Sequence, residues 1–170
     1  MAITTEVSLL QERGLFSQSI ADLEKALTLK SDSIEALVAL AKSYFALKKP
    51  DDALQRIDRV VETNPNHFLA INLKGEVHLS QKQLSEAENA FKQVIAIKQE
   101  WPTPYRNLVK IRLLEGEKAE AVVLLKQGFD KTEDPVLGVE LANISTVTGQ
   151  PSEAVQIYQR ILVTIQQPYI

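Results

Sequence analysis

Apolar residues recur along this chain in segments of helical length that are separated by short polar stretches. Within each segment the apolar side chains fall three and four positions apart, which is the spacing of an amphipathic α-helix. The pattern predicts first helices near 3–13, 34–47, 68–80, 104–114 and 136–148, and second helices near 18–29, 51–63, 86–98, 118–131 and 152–166. No segment carries a strand signal, so we expect an all-α fold.

The predicted second helices share a small residue at one position. These residues are separated by 34, 34, 34 and 33 positions, and they are Ser19, Ala53, Ala87, Ala121 and Ala154. A period of this length predicts stacked helical hairpins, because one hairpin cannot bury its own apolar face and must cover it with its neighbours. We therefore expect a single array over 1–170, with repeats at about 1–33, 34–67, 68–101, 102–134 and 135–168.

Short segments between the two helices of each hairpin predict tight turns. Gly14, Gly116 and Gly149 fall at three of these turns, where a left-handed backbone is needed and glycine adopts it without a Cβ clash. Lys48–Pro50 and Lys82–Gln83 take the equivalent places in the other two hairpins. The turns therefore support the hairpin boundaries independently of the apolar pattern.

Three helix starts carry a capping signal. Thr103–Pro104 and Asp134–Pro135 each suggest an N-cap residue followed by proline at the first helical position. Ser85 and Glu88 have the spacing of a capping box. These signals predict that three of the helices begin directly after residues 103, 85 and 134.

The columns of residues 34–67 resemble the tetratricopeptide repeat, whose pattern is W-x-x-L-G-x-x-Y, then A-x-x-x-F, then P. The matching residues are Leu37, Leu40, Ala41, Tyr44, Ala53, Ile57, Val60 and Pro65. The resemblance extends less completely over the other repeats. It implies a right-handed α–α superhelix of about five hairpins and a non-catalytic scaffold for protein–protein interaction. In general style the repeats are similar to long bacterial arrays, including lipoproteins of exopolysaccharide and exosortase systems.

Members of this family bind peptides in a concave groove that is lined by equivalent positions of successive first helices. Carried over to this chain, the groove consists of Val38, Lys42, Phe45, Leu69, Asn72, Glu76, Leu79, Arg106, Lys110, Leu113, Val139 and Asn143, with Val136 and Thr146 beside them. An apolar groove crossed by a few charges suits an amphipathic helix or an extended segment with one acidic group. Alternatively, Lys42, Glu76 and Lys110 pair with one another at the surface, where each pair contributes about 0–1 kcal/mol.

Two positions depart from the columns of the family. Lys74 stands where a core leucine is usual, and Arg112 stands where residues 34–67 have a tyrosine. Both side chains can extend past the packed layer and keep their charge in water. If they gathered with His78, they would form a cationic surface for an anionic partner.

Composition and motifs exclude several classes of function. The net charge is −3 and no basic stripe occurs, so we expect no nucleic-acid partner. No apolar run approaches the roughly 20 residues of a membrane span, so this segment is expected to be soluble, either cytoplasmic or periplasmic. His67 and His78 lack metal-ligand spacing, cysteine is absent, and no phosphate-binding or nucleophile motif occurs. We expect no metal, no cofactor and no catalytic activity.

The last predicted helix lacks the polar outer face of a terminal repeat. Val155 and Leu162 stand where Leu54 and Val61 stand in the second repeat, and those internal residues should pack on the following hairpin. We therefore expect the chain to be part of a longer array, or this face to be covered by a second copy. Two alternatives to the scaffold stay open: a regulatory or substrate-positioning segment of a larger enzyme, and a self-assembly module.

Overall fold

The computed structural model describes residues 14–30 and 33–166, and within these ranges it contains nine α-helices and no strand. In chain order they are α1 Phe16–Leu29, α2 Ile34–Ala46, α3 Pro50–Thr63, α4 Phe68–Ser80, α5 Leu84–Ile97, α6 Pro102–Leu114, α7 Lys118–Thr132, α8 Pro135–Val147 and α9 Pro151–Gln166. Each helix begins and ends within two residues of the bounds predicted for it, so the all-α prediction is confirmed. The helix predicted near 3–13 lies outside the described residues.

Five turn residues in the described part of the chain have a left-handed backbone at the spacing of the repeats. The φ angles are 73° at Gly14, 82° at Gly116 and 80° at Gly149, as predicted. Lys48 and Lys82 take the same conformation with φ of 59° and 61°, although each has a Cβ. These five positions have the same spacing as the small residues, and in the four hairpins whose two helices are both described the same turn geometry joins the helices.

One of the three predicted helix starts is confirmed and two are wrong. Asp134 caps α8, since its Oδ1 accepts hydrogen bonds of 3.1 Å from two backbone N–H groups of the first turn. In contrast, α6 begins at Pro102 instead of after Thr103, because this earlier proline takes the first turn. Ser85 lies inside α5, whose first helical bond is accepted by the Gln83 carbonyl, so the predicted capping box is not formed there.

The chain divides into two compact units, Met1–Ala90 and Phe91–Ile170. In the first unit α1, α2, α3 and α4 pack in sequence, and in the second α6, α7, α8 and α9 do so. The first core contains Leu23, Leu27, Leu37, Leu40, Ala41, Ala53, Ile57, Val60, Ala70, Leu73 and Val77. The second contains Tyr105, Val109, Ala121, Leu125, Phe129, Leu137, Leu141, Ala142, Ala154, Ile157 and Ile161. Each core is built from residues of several hairpins, as stacked repeats require.

The small residues that define the period are all buried. Their exposed fractions do not exceed 3%, and Ala53, Ala87, Ala121 and Ala154 form this column together with Ser19. The hydroxyl of Ser19 lies 3.2 Å from that of Ser43, which donates to the Ala39 carbonyl at 3.1 Å. The small side chains thus allow neighbouring helices to approach closely, and the one polar member is hydrogen-bonded.

None of the helices in the described part of the chain combines the length and the apolar character that a membrane span requires.

Candidate functional site

The predicted groove residues of the first unit lie on α2 and α4. Half-buried and exposed side chains alternate there: Val38, Leu69 and Leu79 are half-buried, whereas Phe45 and the charged Lys42 and Glu76 are exposed. Lys42 forms no ion pair with any described residue, so the alternative of a Lys42–Glu76 pair is not seen. This face therefore presents apolar surface together with one cation that is available to a partner.

Asn72 differs from its neighbours in the predicted groove because its side chain is buried, with 6% exposed. Its Nδ2 donates to Oε1 of Glu76, one turn later, at 2.7 Å. Its Oδ1 is buried without a hydrogen-bond partner in the described part of the chain. Asn72 therefore orients Glu76 and offers little surface of its own to a ligand, which periodicity could not reveal.

The predicted groove residues of the second unit lie on α6 and α8. Apolar side chains are well exposed here: 54% of Leu113, 47% of Val136 and 40% of Val139. Arg106, Lys110, Asn143 and Thr146 are exposed as well. The Oδ1 of Asn143 accepts a hydrogen bond of 3.1 Å from the Tyr158 hydroxyl of α9.

The two cations of α6 have different environments. The Nη2 atom of Arg106 pairs with Oδ2 of Asp134, the residue that caps α8. This ion pair joins α6 to the start of α8. Lys110, one turn after Arg106, forms no ion pair with the described residues of its unit. Lys110 is therefore the cation of this face whose charge is available to a partner.

An apolar pocket of about 640 Å³ opens between α6, α7 and α8. Its apolar lining consists of Val109, Leu113, Ala119, Ala121, Val122, Leu125 and Ile144. Lys118, Glu140, Asn143 and Thr148 complete it. Pockets that bind small molecules or partner side chains have volumes of roughly 300–1,000 Å³ and mainly apolar walls. Two predicted groove residues, Leu113 and Asn143, therefore lie in a pocket that the sequence reasoning did not predict.

One sequence signal could have pointed to this pocket. Ala119 stands one repeat after Ser85 and two repeats after Asp51, so an apolar residue replaces polar ones at the exposed start of a second helix. Ala119 is itself exposed although it lines the pocket. The pocket walls from α7 were missed because the resemblance directs attention to first helices.

The environments of Lys74, His78 and Arg112 do not support the hypothesis that they form a cationic surface. Lys74 Nζ lies 2.7 Å from Oδ1 of Asp58 on α3. His78 Nδ1 lies 2.6 Å from Oε1 of Gln83, beyond the end of α4. Lys74 thus pairs with the preceding hairpin and is not a free cation, and His78 has a partner within its own hairpin.

Arg112 is surrounded by acidic side chains at the turn between α6 and α7. Its guanidinium contacts Glu115, and its Nε lies 3.0 Å from Glu120 and 3.4 Å from Glu117. Burial and the two neighbouring glutamates raise the pKa of the Glu117 carboxyl. Three carboxylates around one guanidinium leave local negative charge, so the prediction of a cationic spot is wrong at this residue.

Across 14–30 and 33–166, no group of three or more histidine, cysteine, aspartate or glutamate side chains is arranged to hold a metal ion.

Comparison with solved structures identifies the fold. Pseudomonas aeruginosa PilF has a TM-score of 0.67 and 20% identity, covering 98% of this chain and 77% of that one. A thermophilic TPR protein from Thermus thermophilus has a TM-score of 0.60 and 20% identity, covering 95% and 89% of the two chains. These neighbours fit the stack of helical hairpins described above, and the buried columns repeat with the period of that motif. The chain has the fold of tetratricopeptide-repeat proteins.

Sequence comparison finds relatives of two kinds, subunits of the anaphase-promoting complex and a transferase. A family described as "Anaphase-promoting complex, cyclosome, subunit 3" matches residues 12–94. "Anaphase-promoting complex subunit 7" of Arabidopsis thaliana is 25% identical over 155 residues, which are 91% of this chain and 27% of that protein. "Protein O-mannosyl-transferase Tmtc3" of Drosophila melanogaster is 24% identical over 152 residues, 86% of this chain and 16% of that protein.

The chain thus spans about a quarter or less of the length of these curated relatives, with shares of 27% and 16%. Tetratricopeptide repeats bind protein partners and are generally non-catalytic, so the fold and the relatives support a protein-interaction scaffold in general. These two relatives come from a plant and an insect. The expectation of a bacterial array stays a prediction.

Proposed function

We propose that this chain is a non-catalytic scaffold that holds a protein partner, as a peptide or a helix, along the groove of its first helices. The observation that carries the proposal is the accessible apolar surface at the groove positions of the first helices. Phe45 in the first unit is 36% exposed, and Leu113, Val136 and Val139 in the second are 54%, 47% and 40% exposed. Clusters of exposed apolar side chains on a folded protein mark interaction surfaces.

The charges of these faces define what the partner should carry. Lys42 in the first unit and Lys110 in the second have no ion-pair partner among the described residues of their units. Each lies one helical turn from an apolar groove residue, Phe45 and Leu113 respectively. An amphipathic segment with an apolar anchor and an acidic group one turn from it would complement each face.

Affinity capture from the native lysate tests this proposal with matched charge reversals. The parent, Lys42→Glu and Lys110→Glu are compared with Lys126→Glu, which changes an exposed lysine of α7 that lies outside the groove columns. Loss of one charge contact should weaken retention of the partner about fivefold, while Lys126→Glu should leave it unchanged. Equal retention by all four proteins would contradict the proposal.

A second candidate function is that of a substrate-positioning segment within a larger enzyme. The relative that supports it is named an O-mannosyl-transferase, and this chain matches 16% of its length. Under this proposal the reacting groups lie outside these residues and the groove holds the protein substrate. The full-length gene product decides between the candidates, since an attached transferase domain would favour the second one.

A third candidate is assembly through α9, either with a second copy or with further repeats of a longer array. Val155 and Leu162 are 54% and 56% exposed. Their equivalents in the second repeat, Leu54 and Val61, pack against the core that includes Ala70 of α4. Sedimentation of the chain with and without Leu162→Glu tests self-assembly, and a monomer in both cases would contradict it.

A further inference from the structure

The pocket between α6, α7 and α8 has room for large side chains of a partner. Its volume of about 640 Å³ is roughly four times that of the ~150 Å³ apolar cavity that suffices to bind benzene. The core beneath it is already complete, because Val109, Ala121 and Leu125 are each at least 97% buried. The open volume is therefore a feature of the surface layer and leaves the packing of the unit intact.

Two oppositely charged side chains flank this pocket. Lys118 is the first residue of α7 and Glu140 lies on α8, and both are exposed and line the pocket. Neither forms an ion pair with the other or with any residue in the described ranges. An occupant that crosses from α7 to α8 thus meets a cation on one side and an anion on the other.

We infer that this pocket anchors one large aliphatic or aromatic side chain of a protein partner, an inference that rests on the proposed scaffold function. The anchor is flanked by an acidic residue facing Lys118 and by a basic residue facing Glu140. The charge pattern favours a polypeptide over a small apolar molecule, because a polypeptide can place opposite charges on either side of an anchor. Exposed Leu113 extends the apolar wall toward the groove.

A random peptide library displayed on phage, selected against the whole chain, tests this inference. Selected peptides should share an apolar anchor between an acidic and a basic residue. Ala119→Phe fills the pocket from an exposed position and should weaken their binding about tenfold or more, as loss of an anchor does. Val123→Phe is the matched control, because Val123 is exposed on the same helix and does not line the pocket.

Charge reversal gives a second measurement that does not depend on filling the pocket. Selection against Lys118→Glu should replace the acidic residue of the peptides by a basic one, and Glu140→Lys should do the converse on the other side. The double reversal should select the mirrored charge pattern. Thermal unfolding followed by circular dichroism checks that each variant is folded.

Three results would overturn the inference. Peptides that bind Ala119→Phe as tightly as the parent but do not bind Lys110→Glu would support binding in the groove and contradict binding in the pocket. Enrichment of no peptide by the parent would reject both proposals. Binding of the apolar dye ANS that is abolished by Ala119→Phe, without any selected peptide of the expected pattern, would assign the pocket to a small apolar molecule.

Discussion

Replacing Gly138 with alanine tests how closely α7, α8 and α9 pack in the second unit. A Cβ atom at this position would lie 2.7 Å from Cε2 of Phe129 and 2.8 Å from Cδ1 of Ile161. Carbon atoms in contact are about 3.5–4.0 Å apart, so both neighbours would have to move. Phe129 is 1% exposed, and the guanidinium of Arg160 lies 4.4 Å from the centre of its ring. The ring therefore has little room to yield.

Two opposing terms set the size of the effect of Gly138→Ala. Alanine is favoured over glycine in a helix interior by about 1 kcal/mol. Added atoms in a packed core cost about 1–3 kcal/mol. We expect the overpacking to exceed the propensity gain, so that the free energy of unfolding falls by about 1 kcal/mol. Urea unfolding followed by far-UV circular dichroism measures this difference.

Ile161→Val provides the control for the mechanism, because it deletes the Cδ1 atom that the new methyl group would contact. Alone it should cost about 0.5–1.5 kcal/mol. Combined with Gly138→Ala, the loss should be smaller than the sum of the two single losses by about 0.5 kcal/mol or more. A stabilised Gly138→Ala variant, or strictly additive losses, would refute the close-packing argument.

Three further predictions concern turns, packing and pH. Lys82→Gly should raise the free energy of unfolding by about 0.5–1 kcal/mol. A left-handed backbone costs a residue with a Cβ about 1–2 kcal/mol, and the greater freedom of glycine in the unfolded chain offsets part of the gain from removing it. A lower urea midpoint would contradict this. Ala53→Leu should lower the free energy of unfolding by about 1–3 kcal/mol, because Ala53 is 1% exposed. The control Ala96→Leu, at an exposed position, should be nearly neutral. Hydrogen bonds from its own backbone N–H and from the N-cap hydroxyl lower the pKa of Glu35. Its charged form therefore stabilises the fold above the unfolded-state pKa, and Glu35→Gln should lower the melting temperature at neutral pH but not at a pH below the folded-state pKa.

Periodicity was enough to predict the helices and their turns because both depend on local chemistry repeated in each hairpin. The turn positions were predictable even where lysine replaces glycine, as at Lys48 and Lys82, because the period fixes where the backbone must reverse. Helix starts were harder to predict. Pro102 and Thr103–Pro104 offer competing start signals within three residues, and Ser85 lies one residue inside a helix that begins at Leu84.

Features of the candidate site that depend on side-chain conformation could not be predicted from the period. The pattern placed Asn72 on the groove face, but its side chain turns inward and donates to Glu76. The pocket depends on Ala119 and Val122, which belong to a second helix and join first-helix residues only when α6, α7 and α8 are packed. Such contacts link repeats, so the apolar residue at Ala119 could mark one wall of the pocket but not the helices that complete it.

The two cations of α6 differ in that Arg106 forms an ion pair within the fold and Lys110 forms none with the described residues of its unit. Arg106 and Lys110 lie one turn apart, where like charges on a helix repel weakly. Asp134 relieves this repulsion because one of its oxygens pairs with Arg106 while the other caps α8. Reversing the charge of Arg106 would therefore disturb the cap of α8 as well as any ligand, and loss of binding could not be assigned to the groove. Lys110 forms no ion pair with the described residues of its unit, so its reversal breaks no ion pair of the fold and is the better probe of partner recognition.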